Sequence, residues 1–360
     1  MNTKILFQSF LFFVCILKIN AQEILTIENA VKIALENNYE IKISSNNLAI
    51  DKANVSTGNA GMLPRVTASF VDNNSIQDLS QTRADGKVNT LDNAKNSNLN
   101  YGVGLDWTIF DGFKMFAKLD QLKEFEKLGE TQLKLTIITK ISNLNAVYFE
   151  LVNQQQQLAA LNTTIEISIQ RLALAKNRFS IGKASKLEVL NAQVDLNTDK
   201  TEHLRQKELY ANTKIILNQL MARDPKKDFK VVDLIKVDNS LLLDELTSMA
   251  QKQNPELQTQ IINQRISELQ LKQIKGERYP TINLTSGYQF SENQSGLGFT
   301  TQSSAQGLNY GLRASLNLFD GNAQNRNEKI AKIEIDNTKL AIEKKKKKLS
   351  SQLASYYQTY

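Results

Sequence analysis

Four segments of the chain alternate between apolar and polar residues, which is the pattern of a β-strand with one apolar face. The two clearest runs extend from Leu99 to Trp107 and from Leu308 to Leu318. Shorter runs cover residues 66–70 and 282–290. We therefore predict two pairs of strands, at about 65–72 with 99–110 and at about 281–290 with 308–319.

A soluble antiparallel sheet with one wet face shows the same alternation. A membrane sheet is favoured because the runs reach about ten residues, the length of a tilted transmembrane strand, and carry aromatic side chains typical of an interfacial girdle. We predict such a girdle at Tyr101, Trp107, Tyr288 and Tyr310. The polar segments 72–98 and 291–307 are predicted to be outward loops. Because the smallest membrane barrels have about eight strands, four strands can close a barrel only with other copies.

After Gly112 the apolar positions are spaced alternately by four and three residues, which is typical of a coiled coil. This predicted seam runs from Ile137 to Phe179 and includes Ile169. Polar residues interrupt it at Gln155, Asn162 and Lys176. A helix over residues 114–180 would be about 100 Å long at about 1.5 Å per residue. A tight turn at Gly182 and a returning helix complete a long helical hairpin at about 113–222.

The two strand pairs belong to an internal repeat. Pro64 and Pro280 lie 216 positions apart and head similar strands. The segments YGVGLDWTIFDG, from Tyr101, and YGLRASLNLFDG, from Tyr310, lie 209 positions apart. The difference of seven residues falls in a predicted loop, where insertions are tolerated.

We predict a first repeat at residues 22–236 and a second at 237–360. The second repeat contains helices, a strand pair and the start of a long helix. Its last residue corresponds to Leu151 of the first repeat, so the second hairpin turn and returning helix have no counterpart. We therefore interpret the second repeat as incomplete.

Residues 1–21 have the features of a secretory signal peptide: Lys4, the apolar run ILFQSFLFFVCIL, and the small residue Ala21 before the cleavage point. Cys15, the only cysteine, lies inside that run. The processed chain is therefore predicted to have no disulfide and no thiol chemistry in an oxidising compartment.

Charge and composition exclude several functions. The 44 Lys and Arg against 37 Asp and Glu give a net charge of +7, too small an excess to indicate nucleic acid as a partner. His203 is the only histidine, and no spacing of metal ligands or nucleophiles stands out. We predict a protein that is not an enzyme and binds neither metal nor cofactor. The run Lys344–Lys348 is interpreted as a solvated helix face.

The sequence resembles the TolC-like outer-membrane efflux protein family. Four stretches carry the resemblance: LTIENAVKIALENNYEI, GMLPRVTASF, the paired FDG strand ends, and RFSIGKASKLEVLNAQVDL. Together and in this order they span nearly all of the processed chain.

The resemblance implies a mixed α and β fold, in which a trimeric transmembrane β-barrel with four strands per copy stands on a long periplasmic α-helical barrel. It implies a homotrimer in contact with outer-membrane lipid, located in the cell outer membrane with its helices in the periplasm. The implied function is passive exit of substrates in a tripartite efflux or type I secretion system. A periplasmic adaptor and an inner-membrane transporter are the implied partners.

The turn around Gly182 corresponds to the periplasmic tip of the family's channels. The resemblance implies that six residues there contact the adaptor: Arg178, Phe179, Ile181, Gly182, Lys183 and Ser185. Glu188 stands where the family often has an aspartate, so it is the implied acid of the channel aperture. The alternative is a periplasmic or surface coiled-coil interaction protein without channel activity, whose strands form an ordinary sheet.

Overall fold

The fold is taken from a computed structural model of the chain. It describes residues 23–232, 242–297 and 300–359. The predicted signal peptide, residues 1–21, and Cys15 within it lie outside the described residues. The chain divides into two compact units, one of Met1–Ser45 with Leu133–Ser240 and one of Asn46–Gln132 with Leu241–Tyr360.

Helices account for most of the described residues. They are α1 (Ile27–Asn37), α2 (Tyr39–Asn54), α3 (Lys114–Ser180), α4 (Lys186–Leu220), α5 (Leu243–Gln253), α6 (Pro255–Gly276) and α7 (Ala323–Thr359). In this part of the chain, no helix combines the length and the apolar character needed to cross a membrane.

The core of the first unit lies where α1, α3 and α4 meet two short parallel strands, β1 (Glu23–Leu25) and β4 (Phe229–Val231). Its fully or nearly buried members are Leu25, Ala30, Ala34, Leu144, Tyr148, Leu151, Val152, Leu217, Met221, Phe229 and Val231. Three segments far apart in sequence therefore share one apolar cluster, which fixes the start of the first unit against its long helices.

Tyr148 joins this core to the ends of both short strands. Its buried hydroxyl donates to the Leu25 carbonyl oxygen at 2.9 Å and accepts from the Val232 amide at 3.1 Å. Burial raises the pKa of Tyr148 above its ordinary value. The side chain thus satisfies backbone groups that the short parallel ladder leaves open.

Glu23 adds an electrostatic contact at the edge of the same core. Its two carboxylate oxygens lie 2.7 Å from Lys227 Nζ and 3.0 Å from Arg223 Nη1. The hydrogen bond from Lys227, together with those contacts, lowers the pKa of Glu23. Arg223 also lies over the ring of Phe229, with 4.9 Å from its guanidinium carbon to the ring centroid.

The helical hairpin of α3 and α4 differs from the predicted seam by one residue along part of α3. Ser168 and Ala175 are buried, whereas the predicted seam residues Ile169 and Lys176 are exposed. The small side chains allow close packing of the two helices, and the Ser168 hydroxyl donates to a carboxylate oxygen of Asp199 on α4. At these positions the residues that pack between the helices are therefore the small ones and not the most hydrophobic ones.

The second unit contains an antiparallel sheet in the order β2–β3–β5–β6. Its strands are β2 (Arg65–Thr82), β3 (Val88–Phe110), β5 (Thr281–Gln294) and β6 (Gln302–Ser315). Opposed pairs in the register include Tyr101 with Phe70 on one side and with Phe290 on the other. Two hairpins thus meet along β3 and β5, leaving β2 and β6 as edges.

The predicted loops 72–98 and 291–307 are largely strand. The first pair continues to a tight turn between Thr82 and Val88, and a bulge near Asp78 is held by its carboxylate, which accepts from the Asn93 amide at 2.7 Å. In these segments both faces carry Asn, Ser, Thr and Gln, so no apolar alternation marks them as strands.

The last strand is shorter than predicted at its other end. β6 ends at Ser315, while the sequence predicts strand to residue 319. By contrast, β3 continues to Phe110. Strand β2 begins at Arg65, which is opposite Asp106 of β3. The residues of β3 beyond Asp106 therefore pair with β5 alone.

Helices α6 and α7 pack together in the second unit through Leu257, Ile342 and Leu349. Asn254 caps α6, accepting from the Leu257 amide at 3.1 Å. The lysine run on α7 is partly paired: Lys345 bonds to Glu256 of α6, and Lys346 lies 2.9 Å from Glu343. The predicted solvated face is therefore also a helix contact at one position.

We expect Tyr148→Phe to reduce stability by about 1–3 kcal/mol, because it leaves buried backbone groups of Leu25 and Val232 unsatisfied. Thermal unfolding of the purified protein, followed by circular dichroism, measures the change. Tyr210→Phe is the matched control, since the Tyr210 hydroxyl makes a longer bond of 3.3 Å to the Gln155 side chain in a half-buried position. Equal losses in the two variants would contradict the anchoring role of Tyr148.

Candidate functional site: the sheet faces and the hairpin tip

One face of the four-stranded sheet is apolar. Residues opposed in the register point to the same side, and alternate residues along each strand share that side. This apolar face consists of Val66, Ala68, Phe70, Tyr101, Val103, Leu105, Trp107, Ile282, Leu284, Tyr288, Phe290, Leu308, Tyr310, Leu312 and Ala314, with Ser286 among them. Tyr310 is 81% exposed, so no other part of the described chain covers this strand.

An aromatic row bounds the apolar face on one side. Tyr101 stacks on Phe290 with ring centroids 4.9 Å apart and planes at 8°. The next positions on the same face are Asp72, Leu99 and Glu292, two of them charged. The apolar face therefore ends at this row, and the hairpin of β2 and β3 continues beyond it with polar residues on both sides.

A second aromatic group lies where β3 passes into α3. Phe113 contacts Phe110, Tyr279 and Phe116, with ring centroids 5.1, 6.2 and 6.4 Å apart. Phe113, Phe116 and Tyr279 are each more than half exposed. From Tyr101 to Phe110 the strand advances about 30 Å at about 3.4 Å per residue, which matches a membrane band about 25 Å tall crossed by tilted strands.

The four aromatic residues predicted as a girdle share the apolar face but not one level. Tyr101 is in the aromatic row, and Trp107 lies nearer the second aromatic group, where its indole N–H donates to the Met62 carbonyl oxygen at 2.9 Å. Tyr288 and Tyr310 lie between these levels. Sequence reasoning missed Phe113, Phe116 and Tyr279, whose signal is the density of aromatic residues around FDG and before Pro280.

The opposite face of the sheet is polar and carries small side chains. Its polar and glycine members are Arg65, Thr67, Ser69, Asn98, Asn100, Gly102, Gly104, Asp106, Asn283, Thr285, Gly287, Gln289, Asn309, Gly311 and Arg313, and the apolar Val71 lies among them opposite Asn100. At Gly102 an added Cβ would lie 2.4 Å from the Tyr288 carbonyl oxygen. Arg65 lies opposite Asp106 in the register, so Arg313 is the charged member of this set without an opposed charge.

The turn between α3 and α4 brings the predicted tip residues together. Gly182 has a φ of +74°, and its amide donates to the Phe179 carbonyl oxygen at 3.0 Å, while the Lys183 amide donates to that of Arg178 at 2.8 Å. This pairing of the last helical carbonyls needs a left-handed residue, which explains the glycine. Ser185 caps α4, with its hydroxyl accepting from the Glu188 amide at 3.3 Å.

Glu188 is also bound across the turn. Its Oε1 lies 3.0 Å from Arg178 Nη1, and both side chains are partly exposed. The residue that the resemblance implies as the aperture acid is therefore half of an ion pair within its own hairpin. Phe179 and Ile181 project apolar surface beside it, being 46% and 65% exposed.

A groove of about 460 Å³ lies beside the tip between α3 and α4. Its lining combines apolar and charged side chains: Ser168, Arg171, Leu174, Ala175, Ser185, Leu187, Glu188, Asn191, Ala192 and Asp195. Sequence reasoning missed the groove, because its outline depends on which residues of the two helices face each other. His203 is half-buried on α4, and no three His, Cys, Asp or Glu of the described chain gather as metal ligands.

Comparison with known proteins gives one family and a set of similar folds. Residues 30–223 and 246–360 match the family described as Outer membrane efflux protein. Among solved structures, the outer-membrane channel OprN is 16% identical with a TM-score of 0.74, over 92% of this chain and 74% of that one. A comparison with curated protein sequences finds no match.

Two further structures have the same fold. The CmeC outer membrane channel of Campylobacter jejuni is 18% identical with a TM-score of 0.72, over 89% of this chain and 67% of that one. The outer membrane protein VceC from Vibrio cholerae is 12% identical with a TM-score of 0.73, over 92% and 78%. At such identities these similarities establish the mixed α and β fold.

We expect Gly112→Ala to disrupt the junction that carries the second aromatic group. A Cβ at Gly112 would lie 2.1 Å from the Gly276 carbonyl oxygen, and the residue has a φ of +76°. Gly86→Ala is the matched control, because Gly86 has a φ of +81° but open space around it. This variant should lose only about 1–2 kcal/mol of stability, the cost of a left-handed backbone at alanine. Thermal unfolding of both variants measures the difference, and equal destabilisation would contradict the close packing at Gly112.

Proposed function

The chain belongs to the outer membrane efflux protein family, and on that basis we propose that it is one subunit of an outer-membrane channel through which substrates leave the cell passively. Proteins of this family are channels, and the chain is not an enzyme. Its location is the outer membrane. The observation that carries the proposal is the pair of sheet faces, one apolar and exposed and the other polar and rich in glycine.

The two faces suit the two sides of a channel wall. An exposed apolar face of this extent is unfavourable in water and favourable against lipid. The opposite face offers amide, hydroxyl and glycine positions that hydrate readily. A soluble coiled-coil protein, the alternative function, would leave the apolar face exposed to water.

The sheet has two edges, so the channel requires more than one copy. Each copy supplies four strands, and a barrel needs at least about eight. We propose a homotrimer, in which twelve strands close the barrel in the lipid and the helices form a tunnel in the periplasm. The two repeats, at about 22–236 and 237–360, are part of the proposal, as is export directed by residues 1–21.

The hairpin tip is the proposed docking point of a periplasmic adaptor, which connects the channel to an inner-membrane transporter that drives efflux or type I secretion. The exposed apolar side chains of Phe179 and Ile181 support this role, since they lie beside the charged group Arg178, Lys183 and Glu188 at one end of the hairpin. Gly182 and Ser185 shape the turn that presents them. Glu188 is proposed to line the aperture, with its charge balanced in part by Arg178.

The channel is tested by reconstituting the purified protein in planar lipid bilayers. We expect discrete steps of ionic current, because a closed barrel provides a water-filled path across the membrane. The protein should be recovered from the outer-membrane fraction. Recovery from the soluble periplasm together with absence of current would refute the proposal.

The two faces of the sheet are distinguished by a matched pair of variants on β6. Leu312→Arg places a charge on the apolar face at the level of Trp107 and should cost less than the about 2–4 kcal/mol expected at the middle of the bilayer, with a loss of protein in the outer membrane. Asn309→Arg places the same charge on the polar face and should preserve the yield. The opposite ranking, measured by immunoblotting of membrane fractions, would contradict the assignment of the faces.

A further inference from the structure

Strands β2 and β6 each have a neighbour on one side only. Their outer edges present backbone N–H and C=O groups that lack partners within the described sheet. In lipid each such group costs several kcal/mol, so the edges of a membrane sheet must be paired. The internal repeat of this chain provides a way to determine how they pair.

The sequence offsets of the repeat reproduce the register of one hairpin from the other. In the first hairpin Phe70 is opposite Tyr101. Moving Phe70 forward by 216 positions and Tyr101 by 209 gives Ser286 and Tyr310, which are opposite each other in the second hairpin. The two hairpins therefore correspond residue by residue, although few of the side chains are identical.

We propose that β6 of one copy pairs with β2 of the next copy in the register in which β3 pairs with β5 within the chain. The proposal rests on the proposed function, since it takes the sheet to be closed by further copies. Within the chain Leu105 is opposite Ser286. The same offsets place Ala314 opposite Phe70 of the next copy.

The early end of β6 supports this register. The last residues of β3, from Trp107, are strand because β5 pairs with them, Trp107 being opposite Leu284. Their counterparts, residues 316–319, have no strand partner in the described part of the chain, because β5 begins at Thr281, opposite Ser315. Residues 316–319 are also the ones that the sequence predicts as strand but that lie beyond the end of β6. The proposed register gives them partners, with Leu316 opposite Ala68 of the next copy.

The junction after the strand gives independent support. Gly112 packs closely on Tyr279. A Cβ atom added at Gly112 would lie 2.9 Å from the Cβ of Tyr279. The counterpart of Gly112 is Gly321, which has a φ of +67° and nothing within 4 Å of such an atom. The counterpart of Tyr279 is Leu63, which is 59% exposed, and Phe319 beside Gly321 is 79% exposed. The proposed register brings these exposed apolar residues of neighbouring copies together.

The register also keeps the two faces continuous from copy to copy. Ala314 and Phe70 both belong to the apolar face, and Arg313 and its proposed partner Val71 both lie on the opposite side. A shift of one residue would join the apolar face of one copy to the polar face of the next. A shift of two residues preserves the faces, so it is the alternative that an experiment must exclude.

Disulfide cross-linking tests the register, since Cys15→Ala removes the only native cysteine. Two double variants probe consecutive proposed pairs, Ala314→Cys with Phe70→Cys and Arg313→Cys with Val71→Cys. Consecutive pairs alternate between the two spacings of an antiparallel ladder, and a disulfide needs Cα atoms about 4.4–6.8 Å apart. Leu105→Cys with Ser286→Cys is the matched control, because that opposed pair lies within one chain.

Two shifted variants provide the comparison, Ala314→Cys with Ala68→Cys and Ala314→Cys with Asp72→Cys. Outer membranes are oxidised with copper phenanthroline and examined on non-reducing gels. We expect covalent dimers and trimers, lost on reduction, from at least one of the two proposed pairs and at least fivefold less from the shifted pairs. The control should lose its free thiols without any increase in size.

Other outcomes separate this inference from the proposed function. Stronger cross-linking of a shifted pair would overturn the register while leaving the channel intact. Absence of intermolecular cross-links from every pair, in a protein that is trimeric by native mass spectrometry and conducts in bilayers, would overturn the pairing of β6 with β2. A monomeric protein without conductance would overturn the inference and the proposed function together.

Discussion

The structure depends on one constraint: a single copy can neither bury the apolar face of its four-stranded sheet nor pair the backbone groups at the two edges of that sheet. Its apolar face is exposed along its length, Tyr310 to 81%, and both outer strands have unpaired backbone edges. In water the apolar face is exposed unfavourably, and in lipid the unpaired backbone groups of the edges are costly. A single copy is therefore suited to neither medium. In the proposed channel, other copies pair the strand edges and the membrane covers the apolar face. The strand ends, the aromatic groups and the glycines of the polar face are consistent with the proposed wall, which neighbouring copies would complete.

The first unit meets a different requirement, because its helices are too long to share one compact core. Their packing is divided between a cluster around Tyr148 and a seam of alternating small and apolar residues between α3 and α4. At the turn, Gly182, Ser185 and the ion pair of Arg178 with Glu188 close the hairpin using local contacts alone. The tip is thus defined by backbone geometry and short-range charge, which leaves Phe179 and Ile181 available for a partner.

Several elements could be predicted from sequence because their signal is local. Alternation identified all four strands where one face is apolar, and the Gly182 turn with its Ser185 cap follows from known helix ends. The polar ends of β2 and β3 escaped prediction, since hydrophilic residues on both faces produce no period of two. The predicted seam missed the buried positions Ser168 and Ala175 by one residue. Small side chains are buried there because the two helices pack closely, which a hydrophobic pattern does not reveal. The groove near Glu188 and the aromatic group at Phe113 depend on contacts between segments distant in sequence.

The polar face of the sheet has a consequence for what a closed wall would enclose. Glycine occupies positions 102, 104, 287 and 311 of this face, while Arg65, Asp106, Gln289 and Arg313 give it longer polar and charged side chains. The bore of such a wall would be set first by the number of strands, because barrel diameter grows with strand count, and then by the side chains that project between the glycine positions. A wall of this composition would limit cargo both by its girth and by the charge of Arg65, Asp106 and Arg313.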